Sequence, residues 1–553
     1  MVNTAIEALL QEENPLIVIA SNRGPYQFTQ TDDNQFTSRR GAGGLVTALA
    51  ALVERLDVLW VANALSDDDK AWARMHQNEI ENVDGIDLKM VTTEDKAYEQ
   101  YYNIIANPLL WFIQHQMWNT PRDPSIDSDI WDAWKDGYIA INRQFAQVIA
   151  ESVKQTLAKQ DRPVYVFPQD YHLYLVPHFL RKLLGPDVYI QPFVHIPWPG
   201  PDAWRVLPSQ MRNTLISSLL DSDNIGFQTQ RDAFNFVQCA RFYLSDAHSY
   251  GARDAITYKG RKVGARAYPI SVDVDKIDEM IQEPQTRLHK GQVINLIGDR
   301  KLILRIDRVE PSKNILRGLQ SYRTLLEKYP EHHGKVQMVS LLVPSRMGVQ
   351  EYKDYLGDIM AESGMINAAY SDEFWEPSRI ILGNNYHRAL AAMQLYDVLL
   401  VNPIADGMNL VAKEGTLVND RDGVLVLSEH AGAFYELGQH ALTVSPFDIF
   451  GTAEVMHEAL TMPQEERSKR TRALESIVRK NGVRTWFSSQ ITDAMTDFKN
   501  HSKKSSTPST PSRAHLLHRS CRTRRCRCTR VHPRSGPSRP FGRASSGASC
   551  AAV

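Results

Sequence analysis

Val398-Leu-Leu-Val-Asn-Pro-Ile-Ala-Asp-Gly-Met-Asn-Leu-Val-Ala-Lys-Glu414 runs from an apolar strand at 398–402, through a polar loop, into good helix formers. A strand that ends on a helix N-terminus presents unpaired backbone N–H groups at the positive end of the helix dipole. That geometry holds phosphate. The loop is Asp406-Gly407-Met408-Asn409, and Lys413 and Glu414 fall on the first turns behind it, within reach of whatever binds.

Outward from this stretch, the same alternation of short apolar runs and helical patterns recurs. In the first half the runs lie at 16–20, 58–62, 164–167, 188–195, 224–228 and 265–270. In the second half they lie at 301–306, 336–343, 379–382, 398–402, 424–428 and 442–444. Apolar runs bounded by turn residues, with helices between them, predict parallel sheets covered on both faces. Two sets of runs predict an α/β protein of two doubly wound, Rossmann-like domains. The expected boundaries are 1–285, 286–482, a last helix at 483–500 that could return to the first domain, and a tail at 501–553. Ligands of such sheets bind at the carboxyl ends of strands, and the polar motifs fall after Ala20, Phe167, Val194, Ile306, Val343 and Asn402.

The 553 residues are too many for one core, and 43% hydrophobic with 23% charged is the balance of a globular protein. No apolar run approaches the ~20 residues of a membrane helix, and the first residues carry no export signal. The expected compartment is the cytoplasm. Twelve Lys and Arg but no Asp or Glu fall in 501–553, leaving 51 basic against 64 acidic residues, a net of −13, before it. So acidic a body is not a nucleic-acid binder by charge. The tail is basic, Ser- and Pro-rich and poor in apolar residues, which predicts disorder. Its composition changes as abruptly as a shifted reading frame would make it. Four of the five cysteines lie there, in no zinc-ligand spacing.

Three further motifs carry chemistry. Ser21-Asn22-Arg23-Gly24 follows the first strand, and Arg39-Arg40-Gly41-Ala42-Gly43-Gly44-Leu45 opens a helix expected over 45–56. Gln169-Asp170-Tyr171-His172 and His195-Ile-Pro-Trp198 end two neighbouring strands. Their Asp and His can bond sugar hydroxyls with Tyr171 or Trp198 as an apolar wall, although a buried, hydrogen-bonded histidine is the plain alternative. Arg305-Ile-Asp307-Arg308-Val-Glu310-Pro-Ser312-Lys313 places two cations about a strand-to-helix turn, with Ser312 as the expected cap. Arg308, or else Arg305, and Lys313 can neutralise a diphosphate; ion pairs with Asp307 and Glu310 are the alternative. No metal-ligand cluster accompanies these motifs, so no metal and no cofactor are expected. A nicotinamide-dependent oxidoreductase would need a Gly-rich fingerprint that is missing.

Taken in order, Ser21-Asn22-Arg23, Gly43-Gly44-Leu45, Tyr101-Tyr102-Asn103, Leu110-Trp111, Asp170-Tyr171-His172-Leu173, His195-Ile-Pro-Trp198-Pro, Arg308 with Lys313, and the 406–414 motif resemble the trehalose-6-phosphate synthase family over residues 15–500. The resemblance implies a GT-B arrangement, two Rossmann-like domains facing across a cleft. It implies a retaining, metal-independent transferase that moves glucose from a nucleotide-glucose to glucose 6-phosphate. By motif, Arg23, Tyr102, Trp111 and Arg346 look like the acceptor site. Arg308 and Lys313 look like the diphosphate clamp. Gly44, Asp170, His195, Asp406, Gly407, Met408, Asn409 and Leu410 look like donor-sugar contacts, and Glu414 like the ribose contact. Asp170, His195, Arg308, Lys313 and Asp406 are the expected catalytic set. Three positions depart from the family pattern: Glu310-Pro-Ser-Lys313-Asn314 replaces Asp-Tyr-x-Lys-Gly, Trp198 stands for the commoner Phe, and Gln169 for His. Glucosylglycerol-phosphate synthases, validamycin-type pseudo-glycosyltransferases and a non-catalytic sugar-phosphate-binding regulator are the alternatives. Small molecules are the expected partners, with neither nucleic acid nor membrane, and a homo-oligomer is compatible with the sequence.

Overall fold

The computed structural model describes residues 13–33, 35–40, 57–251, 253–346 and 350–505. Gly44, the helix expected over 45–56, and the tail from 506 lie outside the described residues. Among the described residues no helix is long and apolar enough to cross a membrane.

The first sheet is built about β1 (Leu16–Ser21), whose six residues are all buried. β1 pairs in parallel with β4 (Val58–Asn63) on one side and β7 (Val164–Pro168) on the other. β6 (Ile86–Val91) extends it beyond β4, and β8 (Tyr189–Ile190) beyond β7. A hairpin of β2 (Tyr26–Gln30) and β3 (Phe36–Arg40) stands apart. The stretch 188–195, read as one strand, is two. β8 pairs with β7, whereas β9 (Phe193–Val194) pairs with β10 (Asn224–Phe227) in a second sheet. Pro192 lies at the break, where it has no N–H to give a ladder.

The third sheet holds six parallel strands in the order β16-β15-β14-β17-β18-β19. These are β14 (Lys301–Arg308), β15 (Val336–Val343), β16 (Ser378–Leu382), β17 (Val398–Val401), β18 (Val424–Ser428) and β19 (Leu442–Val444). From β14 the chain winds outward through β15 and β16, then returns to the other side of β14 with β17. The crevice at such a reversal, outside the carboxyl ends of the two strands, is where doubly wound sheets bind ligands. β1 and β7 form the corresponding reversal in the first sheet.

The last helix, Val483–Ser505, lies on the first and second sheets. Trp486 meets Phe193 edge-on at 5.2 Å, and Phe498 meets Tyr165 at 5.6 Å. The Tyr268 hydroxyl donates to Asp493 at 2.8 Å, and Arg266 pairs with Asp497 at 2.9 Å.

Candidate active site

The carboxyl ends of β1, β7, β14 and β15 open on one cavity of about 1150 Å³. Arg23, Tyr102, Trp111, Asp170, Arg308 and Arg346 all line it. Arg23 is the second residue after β1, and Asp170 the second after β7. Tyr102 belongs to a π-helical segment, Gln100–Leu110, that Trp111 follows; wide turns of this kind are frequent at functional sites. Arg346 follows β15. Its guanidinium sits 4.8 Å from the Trp111 ring and donates to the hydroxyls of Tyr352 at 2.5 Å and Tyr171 at 3.4 Å. The four residues expected to hold the acceptor therefore converge. His172 joins them, parallel to Tyr102 at 5.6 Å. Burial holds its ring neutral, pushing its pKa down to about 3, and leaves Nε2 without a partner.

On the clamp, the structure separates the two arginines. Arg305 is fully buried, bonded to the Asp307 carboxylate at 2.8 Å and to the Lys313 carbonyl at 2.7 Å. Arg308, at the carboxyl end of β14, lines the cavity and pairs with Glu310 at 2.7 Å. Glu310 is itself buried, and the Ser345 hydroxyl donates to it at 3.1 Å. Burial would raise its pKa, but the charges of Arg308 and Arg346 outweigh that and hold it below the usual range. Glu310 thus ties the clamp to the loop that carries Arg346. Ser312 is not the cap it was expected to be. A single turn, Pro311–Lys313, leads into Asn314 at φ 58°, and the helix starts at Ile315. Asn tolerates this left-handed conformation better than most residues. Its amide also donates to the carbonyls of Asn402 at 3.0 Å and Pro446 at 2.6 Å, which ties the turn to the carboxyl ends of β17 and β19.

Lys313 forms an ion pair with Asp406, which also accepts from Asn409 at 3.0 Å. Burial opposes ionisation of Asp406, but Lys313 holds its pKa below the ordinary value. Asn409, at φ 72°, caps the helix Leu410–Val418. The 406–410 loop passes so close to the end of β9 that a Cβ on Gly407 would lie 1.8 Å from the His195 carbonyl oxygen, and one on Gly432 1.8 Å from that of Gly407. We expect Gly407→Ala to destabilise the protein by about 1–3 kcal/mol or more through overpacking. The urea midpoint reads this directly; an unchanged midpoint would mean the crossing relaxes. Lys413, placed within ligand reach by sequence, is instead buried and bonded to Glu436 and to the Ile270 carbonyl. Glu414 accepts from the Tyr386 hydroxyl at 3.1 Å.

His195 has both ring nitrogens engaged. The Gln228 carbonyl oxygen accepts from the Ile270 N–H at 2.9 Å, so its amide faces His195 Nδ1 at 3.3 Å. Nε2 therefore carries the proton, toward the Gln169 oxygen at 2.9 Å, and the Gln169 amide donates to the Phe167 carbonyl. Gln169 and Gln228 together thus fix the tautomer of His195. Trp198 is not a wall of the site. It is buried against Trp204 at 4.5 Å, with its indole N–H on Cys239 Sγ at 3.4 Å.

Asp170 sits at φ 69° and ψ 176°, a region that costs a non-glycine residue about 1–3 kcal/mol and clusters at functional sites. Its carboxylate accepts the His195 backbone N–H at 3.1 Å. Burial pushes the carboxyls of Asp170 and Glu414 up to about 7. A folded-state pKa above the unfolded value adds stability that is complete below about pH 4 and lost as pH rises through about 7. In ligand-free protein, Asp170→Asn should therefore match the wild-type Tm at or below about pH 4 and exceed it near pH 8. A pH-independent difference would overturn this reading of Asp170.

The motifs did not point to Ser345, Tyr352 or Gln228 as partners of site residues, and named Glu310 only as an ion-pair partner, which it is for Arg308. Only Arg39 and Arg40, which also line the cavity, carried a signal, as a charged pair before a glycine-rich turn.

Residues 15–496 match the model of glycosyltransferase family 20. The chain belongs to glycosyltransferase family 20. Within family 20 it is 30% identical over 500 residues to an alpha,alpha-trehalose-phosphate synthase [UDP-forming] of Botryotinia fuckeliana, covering 89% of this chain and 91% of that one. It spans only about three fifths of two further relatives, 62% and 61% of their lengths. Among solved structures it resembles an E. coli one bound with UDP-2-fluoro glucose, at TM-score 0.74 and 29% identity, covering 87% of this chain and 98% of that one. It also resembles a UDP-forming alpha,alpha-trehalose-phosphate synthase of Burkholderia xenovorans in complex with glucose-6-phosphate, at TM-score 0.73 and 27% identity, covering 87% of this chain and all of that one, 100%. The fold is GT-B, two Rossmann-like domains facing across a cleft.

Proposed function

We propose that this family 20 protein transfers glucose, with retention, from a nucleotide-glucose to glucose 6-phosphate and forms trehalose 6-phosphate. The observation that carries the reading is the convergence of Arg23, Arg346 and Arg308 on one cavity, with Lys313 one turn beyond Arg308 and paired with Asp406. Arg23 and Arg346 fit an acceptor phosphate beside Tyr102 and Trp111, and Arg308 with Lys313 fits a diphosphate at the β14–β17 reversal. The boundary between an acceptor half (1–285) and a donor half (286–482) belongs to the same proposal.

The donor diphosphate would lie against Arg308, Lys313 and the N–H groups opening the helix Leu410–Val418, with Glu414 on the ribose. The glucose would lie over Asp170, the His195 loop and Asp406. As the bond from C1 to the diphosphate breaks, charge grows on the leaving oxygens, where fixed cations and dipoles stabilise it most. The acceptor hydroxyl forms the new bond to C1 on the same face, and its proton passes to the departing diphosphate. The protein positions and stabilises, with no side-chain nucleophile.

The test is product formation by purified protein in EDTA, offering UDP-, GDP- and ADP-glucose, each first with glucose 6-phosphate and then with glycerol 3-phosphate. A non-reducing disaccharide phosphate made without metal is the expected product. Turnover only with glycerol 3-phosphate would replace the acceptor, and binding without turnover would replace the reading with that of a regulator.

A further inference from the structure

At the amino ends of the third sheet's strands, opposite the cleft, three groups meet. The turn Pro330–His332 precedes β15, and the helix Ile449–Thr461 follows β19 and runs back toward that end. His332 Nε2 faces His457 Nδ1 at 3.0 Å across 125 positions of sequence. A carboxylate oxygen of Glu331 joins them, and the three ligand atoms lie within 4.8 Å of one another. We propose that Glu331, His332 and His457 form a binding site for a zinc-class divalent cation, which would clip the Pro330–His332 turn to the helix Ile449–Thr461.

Two imidazole nitrogens on a tetrahedral ion, each at about 2.0–2.1 Å, lie little more than 3 Å apart, close to the observed separation, and rotation of the rings toward a common point would admit the ion. His–His–carboxylate is a zinc donor set that leaves a fourth position to water. The rings are held in place before any ion arrives. His457 stacks on Tyr329 at 3.7 Å and 10°, and the Tyr329 hydroxyl donates to Glu454 at 2.8 Å. His332 is 7% exposed, and Glu331 supplies the negative charge that a divalent ion needs. The plain alternative is a hydrogen bond between two neutral imidazoles and nothing more.

The experiment titrates ZnCl₂ into EDTA-stripped, desalted full-length protein by calorimetry, with Tm followed in parallel. Because any free thiolate is a competing zinc ligand, the background is the chain with Cys521, Cys526, Cys528 and Cys550 changed to Ser. One equivalent should bind and raise the Tm. His457→Ala should abolish both effects, and Glu331→Gln should weaken binding by at least the about 10–100-fold that an outer-shell partner commands. No binding by the parent, or binding unchanged in both variants, overturns the proposal. Should His457→Ala misfold, the exposed Glu331 decides: unchanged affinity in Glu331→Gln overturns the site, and weakened affinity supports it.

Discussion

Lys313→Ala is expected to lower kcat by about 10²–10³, the loss that follows removal of one preorganised donor to a developing oxyanion. Lys313 sits where β14 gives way to its helix, its ammonium against Asp406 at the reversal. Charge appears on the diphosphate only as the glycosyl bond breaks, so the effect should fall on kcat more than on either KM. The same change strands Asp406, whose side chain is 15% exposed. Breaking a buried pair from one side costs about 3–5 kcal/mol, so part of any activity loss could be unfolding. Pairing Lys313→Ala with Asp406→Asn separates the two effects. The double variant should recover Tm without recovering kcat. A near-normal kcat in folded Lys313→Ala would reduce the pair to a structural ion pair.

Arg346→Ala is expected to raise the acceptor KM by about 10- to 100-fold, matching the about 1.5–3 kcal/mol of a charge-assisted hydrogen bond. The donor KM should move far less. Arg346 lies over Trp111 and beside Tyr171, away from the Lys313–Asp406 pair, and its guanidinium is held by the Tyr352 hydroxyl. Arg346→Lys should recover only part of the loss, because an ammonium keeps the charge but not the planar fork. An equal rise in both KM values would sink the acceptor assignment. The Glu310 link between Ser345 and Arg308 sets a limit on how selective the change can be, since moving one loop shifts the other.

Much of the architecture was legible because parallel strands buried on both faces write continuous apolar runs. The runs at 336–343, 424–428 and 442–444 coincide with β15, β18 and β19. The stretch 188–195 misled because apolar character continues through Pro192, while the ladder changes partner there. Ser312 misled because a serine before a helix suits a cap, whereas the turn closes through Asn314 in a left-handed conformation. Of the site, the residues that end strands could be found, because chain reversal places such positions at a ligand crevice. Their supports could not, because Gln228 reaches His195 across 33 positions and Ser345 reaches Glu310 across 35, and no pattern in the chain marks the contact of Tyr352 with Arg346 six positions before it.

By itself the sequence determined the strand and helix alternation, the two doubly wound sets, and the strand ends at which Arg23, Asp170, Arg308 and Asp406 stand. Only the tertiary structure decided which of those side chains share a cavity. Arg305 and Arg308 lie three positions apart, on opposite faces of β14. Both faces of such a sheet are covered, so pattern alone cannot say which face turns to the cleft. Packing sent Arg305 to Asp307 in the interior, Lys413 to Glu436, and Trp198 into the core beside Trp204. It also brought His457 against His332 across 125 positions. Periodicity reports the local direction of a side chain, and a site is made by the long-range packing that periodicity does not carry.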